Sequence, residues 1–315
     1  MPTTSRALLT EIIDYAGLFP PAKLPMKEAF ERFLSHLGSD QGWLLARFVC
    51  PTLRLGELAP LIEAADLETP IRIAALGAGG NDPPTFADAI ERDVEAMNVF
   101  SDRFRHTAPI DVFEVKLPGQ GDPSEVVDVS FHSLENVAAR PPLPYFEVSL
   151  LDDRHDPVIT ATAVAAASHQ IDENRRAGLK IRCGGIDAAA VPSVEAVAGA
   201  ITACYIAGLP LKATQGLHHP VRHHDPSLGT TIHGFLNLYA AAVFMHDHAL
   251  DDKTVCAILA EENPEAFNLT DSALQWRDLE TGFEGVVNGR VFAITSFGSC
   301  RFTEPRDDLT KLGLL

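Results

Sequence analysis

Short apolar runs bounded by Gly or Pro alternate along this chain with longer segments whose apolar residues recur at three- and four-residue spacing. The short runs "LLARFVCP", "IRIAALGAGG", "DVFEVKLPG", "PYFEVSLL", "GLKIRCGG" and "LPLKATQGL" predict six β-strands. Between them, "LGELAPLIEAAD", "TFADAIERDVEAMNVFSDRF", "SEVVDVSFHSLENVAA", "ITATAVAAASHQIDENRRAG" and "SVEAVAGAITACYIAG" predict crossover helices with one apolar face each. Two further strands are expected, one within "AFNLTDSALQW" after a helix at 251–262 and one in "VFAITSFGSC" after a helix around 279–288. Eight strand-helix units in roughly 270 residues are the size of a (β/α)8 barrel. The expected fold class is thus α/β, a (β/α)8 TIM-like barrel with an N-terminal helical extension at 1–42. That extension includes the loop "DYAGLFPPAKLP". A doubly wound open sheet is the alternative. No internal repeat, low-complexity tract or long linker divides the chain, so a single domain over 1–315 is expected.

Composition narrows the function classes. The chain is 46% hydrophobic and 22% charged, as expected of a packed globular domain. Its formal charge of −18 argues against a nucleic-acid surface or an anionic-membrane surface, both of which need clustered Lys and Arg. Cys50, Cys183, Cys204, Cys256 and Cys300 are scattered and form no CxxC pair, so a reducing cytoplasm is expected. The first residues lack the continuous apolar region of a secretory signal, and no apolar run is expected to reach the roughly 18 residues of a membrane span.

Strand parity points to a site. Glu114 and Lys116 share one face of "FEVKLP", Glu147 and Ser149 one face of "YFEVSL", Lys180 and Arg182 one face of "GLKIRCGG", and Lys212 and Thr214 one face of "PLKATQGL". The opposite faces are apolar and must pack on helices, so the charged sets point into the barrel. A structural barrel interior is built of Val, Ile and Leu, and ion pairs placed there contribute little stability over apolar packing. Lys116, Lys180, Arg182 and Lys212 against Glu114 and Glu147 leave a cationic excess. That excess predicts a small anionic substrate, with Arg182 holding a carboxylate or phosphate bidentately. Gly184 and Gly185 in "CGGI", and the glycines of "GAGG", stand at strand ends where backbone N–H groups can approach an anion. After the last strand, Ser296, Gly298 and Ser299 in "SFGSCRFTEP" are further candidate donors, while a lone Cys300 is read as structural.

"LKATQGL" resembles the strand-end segment of deoxyribose-phosphate aldolases that carries the Schiff-base lysine, and "GLKIRCGGI" is similar to that family's second lysine strand. These two short stretches imply a barrel lyase with Lys212 as nucleophile and Lys180 as its neighbouring cation. The residues themselves allow the same chemistry. A lysine attacks a carbonyl only when neutral, Lys180 and Arg182 would depress the pKa of Lys212, and Glu114 or Glu147 could shuttle protons.

"LHHPVRHHD" follows the Lys212 strand as the next βα loop, and seven of twelve histidines fall between His218 and His248. His218 and His219 are therefore candidates for acid-base chemistry, or for ligating a divalent metal, although the spacing matches no established metal motif. His233, His246 and His248 flank an apolar helix and are read as caps or surface residues. The loop "DYAGLFPPA" is read either as a lid over the barrel mouth or as packing beneath the barrel. The leading expectation is a Schiff-base lyase or aldolase-like enzyme acting on a small anionic carbonyl compound without a cofactor. A metal-assisted hydrolase or lyase using the 218–224 loop and a non-catalytic barrel binding an anionic metabolite are the alternatives. A homo-oligomer is compatible with all three.

Overall fold

The computed structural model describes residues 3–138, 140–151, 156–171 and 177–315. Eight parallel strands close on themselves: β1 (Ile13–Tyr15), β2 (Leu45–Pro51), β3 (Ile73–Leu76), β4 (Ile110–Lys116), β5 (Leu143–Val148), β6 (Gly178–Arg182), β7 (Leu211–Thr214) and β8 (Ile294–Ser299). Each strand pairs with its sequence neighbours, and β8 closes on β1 through Ile13–Phe297, Asp14–Gly298 and Tyr15–Ser299. This is the expected (β/α)8 barrel rather than an open sheet.

Local chemistry sets the crossover helices. Asp82 caps the helix Pro83–Phe104 by accepting from the Thr85 N–H, and the Thr85 hydroxyl reciprocates toward the cap backbone. Ser193 caps Val194–Ala207, which ends at Gly208 in the left-handed conformation. The stretch 188–207 is apolar and long enough to cross a membrane, contrary to the sequence expectation. It is interrupted between Val191 and Ser193, and Val197, Ala198, Ile201 and Cys204 of its helix are buried in the core. The helix expected over "ITATAVAAASHQIDENRRAG" is seen as Pro157–Ile171, while 172–176 lie outside the described residues.

Two expectations are corrected. Residues 1–42 do not stand apart from the barrel, because they contain β1. In that strand Ile13 and Tyr15 face the helices, with Tyr15 against Phe33 and Phe48, so Asp14 must face inward. A helix, Thr3–Leu9, does precede β1. The second correction concerns "AFNLTDSALQW", which adds no strand to the barrel. Phe267–Leu269, Ala273–Trp276 and Leu279–Gly282 form a separate antiparallel sheet. Only three and two residues connect them, which suits hairpins, whereas a parallel return needs a crossover of a dozen or more. The helix expected at 279–288 begins after that sheet, at Phe283–Phe292. Part of the histidine loop is likewise a hairpin, His223–Asp225 with Thr230–Ile232.

The main core lies between the barrel and its helices, with a separate small cluster of Val49, Ala74, Val112 and Tyr145 inside the barrel. A chain lacking residues 1–42 would leave β2 and β8 as open edges with unpaired backbone groups. Such a truncation should lose its cooperative thermal transition and near-ultraviolet circular dichroism. A transition at the full-length temperature would show that β1 is dispensable.

Candidate active site

An alternating row of charges crosses the barrel interior. Asp111 accepts two hydrogen bonds from Arg47, at 2.7 and 2.9 Å, and Arg47 Nη1 lies 3.5 Å from Asp14 Oδ1. Asp14 Oδ2 takes Lys212 Nζ at 2.5 Å and Ser296 Oγ at 2.6 Å. Lys212 reaches Glu114 Oε1 at 2.6 Å, and the other Glu114 oxygen takes Lys180 Nζ at 2.7 Å. Lys180 continues to Glu147 at 3.0 Å, and Glu147 to Arg182 at 2.5 Å. Backbone register explains the convergence, because Lys116, Glu147, Lys180 and Lys212 are aligned across four adjacent strands. Parity turns the charged side chains inward, and adjacent strands bring them to one level.

Burial alone would raise the Glu114 carboxyl, but Lys180 and Lys212 overcome it and hold the group at about 2. Glu147 is lowered for the same reason, with Lys180 and Arg182 outweighing its burial. Burial pushes both lysines down, yet their carboxylates prevail: Glu114 and Glu147 hold Lys180 above the ordinary lysine value, and Asp14 and Glu114 do so for Lys212. The expectation that Lys180 and Arg182 depress Lys212 is therefore corrected, since its closest charged partners are carboxylates. At the cavity Lys116, Lys180 and Arg182 face Glu114 and Glu147. Along the whole row, Arg47, Lys180, Arg182 and Lys212 alternate with Asp14, Asp111, Glu114 and Glu147.

A cavity of about 300 Å³ opens over this row at the C-terminal ends of the strands. Glu114, Glu147 and Lys180 form its charged floor, and Lys116 and Arg182 stand at its rim with Thr214, Gln215, His218, Gly298 and Cys300. Lys212 is 1% exposed and does not line the cavity, lying against Glu114 and Asp14. With its amide oriented to satisfy both neighbours, Gln215 donates to the Gly184 carbonyl at 3.0 Å and accepts from Arg182 at 3.3 Å. Gly184 and Gly185 do not line the cavity. Gly184 instead packs on Gly216, whose φ of +72° suits glycine, and a Cβ on Gly184 would come within 2.9 Å of the Gly216 Cα.

The other candidates separate. Ser296 supports Asp14 from beneath the cavity, whereas Ser299 donates to the Arg301 carbonyl at 2.7 Å, so Ser296, Gly298 and Ser299 do not form one anion cradle. His218 lines the cavity 3.2 Å from Glu304, and burial lowers its pKa, leaving a neutral imidazole at pH 7. His219 turns out of the site to Asp308 at 2.5 Å. Among the described residues no three His, Cys, Asp or Glu side chains are grouped to hold a metal ion. Burial raises the Cys300 thiol, which keeps it protonated at neutral pH. His233 is buried and bonds the Pro192 carbonyl, in place of the expected cap or surface position. The "DYAGLFPPA" loop lies at the cavity, where Phe19 and Pro20 form part of the wall. Its backbone is tied down by Ala16 N–H to Ser299 O at 2.7 Å and Leu24 N–H to Gly17 O at 2.9 Å.

Sequence parity missed Asp14, Arg47 and Asp111 as members of the site. Asp14 lies in a three-residue strand, too short to display alternation, although the charge between Ile13 and Tyr15 was the available signal. No family model matches the sequence, and no curated protein matches it. Among solved structures, the chain is similar to a deoxyribose phosphate aldolase from Aeropyrum pernix, with TM-score 0.44 and 13% identity over 70% of this chain and 86% of that one. It is also similar to endoglucanase CEL6B from Humicola insolens, with TM-score 0.36 and 11% identity over 71% and 81% of the two chains. A cellobiohydrolase mutant, CcCel6C in the closed form, gives TM-score 0.39 and 11% identity over 71% and 76%.

Removing one member of a buried ion pair costs about 3–5 kcal/mol, because the partner is left uncompensated. Asp14→Ala should therefore lower the unfolding free energy by about that amount, and Asp14→Leu combined with Lys212→Met should recover part of it. Additive losses in chemical denaturation would show that the two residues are not coupled. The depressed Glu114 carboxyl contributes stability that is fully present above its ordinary value of 4.5 and is lost as pH falls toward about 2. Glu114→Gln should flatten that acid limb.

Proposed function

We propose that this barrel is an enzyme that binds a small anionic carbonyl compound as a Schiff base on Lys180, with lyase or aldolase-like chemistry. The observation that supports this most is the position of the Lys180 amine, at the cavity floor between two carboxylates at 2.7 and 3.0 Å. An imine needs a neutral amine, and Glu147, 3.0 Å away and not bonded to Lys212, is close enough to take the ammonium proton as the carbonyl enters. The same carboxyl group can return the proton when the carbinolamine expels water. The resulting iminium accepts the electron pair of the adjacent C–C or C–H bond. Lys116 and Arg182 at the rim would hold the substrate's anionic group. In this reading Lys212, beneath the floor, keeps Glu114 ionised and does not react. The unpaired cysteines support a reducing, cytoplasmic setting.

A second reading, a barrel that binds an anionic metabolite without turning it over, is favoured by the matching of four cations with four carboxylates. Borohydride separates the two. With a panel of aldehydes and keto acids, reduction should add mass at Lys180, and Lys180→Met should abolish the adduct. Because its carboxylate partners hold the amine above 10.5, trapping should keep rising from neutral pH without levelling below that value. Glu147→Gln should move the profile to lower pH. An adduct lodged at Lys212, or one unchanged in Lys180→Met, would remove Lys180 from the reaction.

A further inference from the structure

The cavity wall is divided by strand. The charged side chains come from β4 to β6, while the arc supplied by β1 to β3 presents Phe19, Val49 and Leu76. Parity alone does not require this, because Val49 and Leu76 occupy inward positions of the same kind as those that carry Glu114 and Lys180 on the neighbouring strands. They continue the small apolar cluster inside the barrel, and Phe19 extends it to the mouth from a loop held by backbone hydrogen bonds to β8. Hydroxyl groups placed against the Phe19, Val49 and Leu76 side chains would find no side-chain hydrogen-bond partner there, and each buried, unmatched hydroxyl costs about 1–3 kcal/mol. An alkyl or aryl group there would leave water favourably.

We infer that the substrate is amphipathic, with an anionic carbonyl head on the β4–β6 side and an apolar alkyl or aryl body against Phe19, Val49 and Leu76, and is not a polyhydroxylated sugar acid. This selectivity rests on the Schiff-base reading for the position of the carbonyl. The apolar recognition itself does not depend on imine formation. Phe19 and Leu76 are then specificity-determining residues.

The test measures binding and trapping separately. Calorimetry with phenylpropionate and gluconate, neither of which offers a ketone or aldehyde, reads recognition alone. Borohydride trapping with phenylpyruvate and ketogluconate reads imine formation. Phenylpropionate, which cannot form an imine, should bind at least about tenfold more tightly than gluconate in the wild-type protein, and phenylpyruvate should be trapped in preference to ketogluconate. Phe19→Ala should reduce the preference for phenylpropionate by about tenfold. Leu76→Thr probes the same wall from a barrel strand, should Phe19→Ala disturb the loop. Equal or tighter binding of gluconate, an unchanged preference in both wall variants, or no binding of either acid would overturn the inference. Trapping of ketogluconate in preference to phenylpyruvate would overturn it while leaving the Schiff base standing. Selective phenylpropionate binding with no adduct from any carbonyl compound would uphold the apolar wall and overturn the Schiff base.

Discussion

Lys180 and Lys212 stand side by side in register on β6 and β7, and both side chains point into the barrel. Two ammonium groups at that spacing would repel strongly in a low-dielectric interior. Glu114, arriving from β4, gives one carboxylate oxygen to each, so a single side chain makes the pair tolerable. Every other charge follows from that arrangement. Asp14 completes the shell of Lys212, Glu147 completes that of Lys180, and Asp111, paired with Arg47, and Arg182 stand at the two ends of the row. The buried interior is an ordered sequence of opposite charges, with Lys116 standing outside it at the cavity rim.

Four members of the row, Glu114, Lys180, Glu147 and Arg182, meet the cavity, and Lys180 is the one amine among them. Burial leaves Lys212 unreachable from the cavity, whereas Lys180 has one side open to it. Two lysines with nearly the same strand environment are thereby assigned different capacities by depth alone. The amine at the floor lies between Glu114 and Glu147, and the buried one holds Glu114, the group they share, in its ionised form.

Much of this was legible in the residues. Seven of the eight barrel strands and most helices follow from the sequence pattern, and parity places Glu114, Glu147, Lys180 and Lys212 in the interior. The illegible parts have physical reasons. A three-residue strand such as β1 carries no period, so Asp14 was read as part of a loop. Arg47 lies in a run whose apolar residues mask its parity, and Asp111 alternates with the inward set Val112, Glu114 and Lys116, so parity assigns it to the other face although it pairs with Arg47. The hairpins at 267–282 share their apolar alternation with a barrel strand, and only the two- and three-residue connections distinguish them. The crowded histidines were over-read, since His218 alone of the loop's first pair reaches the cavity while His219 turns to Asp308.

The closure of β8 onto β1 also bears on how the protein forms. Asp14 and Lys212 are 198 positions apart, and Asp14 and Ser296 are 282 apart, so the charge row joins segments made at opposite ends of synthesis. Contacts of such separation are reached late, after the entropy of closing long loops has been met. Until then β1 has no β8 beside it, and the carboxylate meant for Lys212 has no fixed place in the interior. A nascent chain ending before residue 294 already carries Asp14, Glu114 and Glu147 but lacks the strand that lies between β7 and β1, so Lys212 and Asp14 are brought together by completion of the barrel.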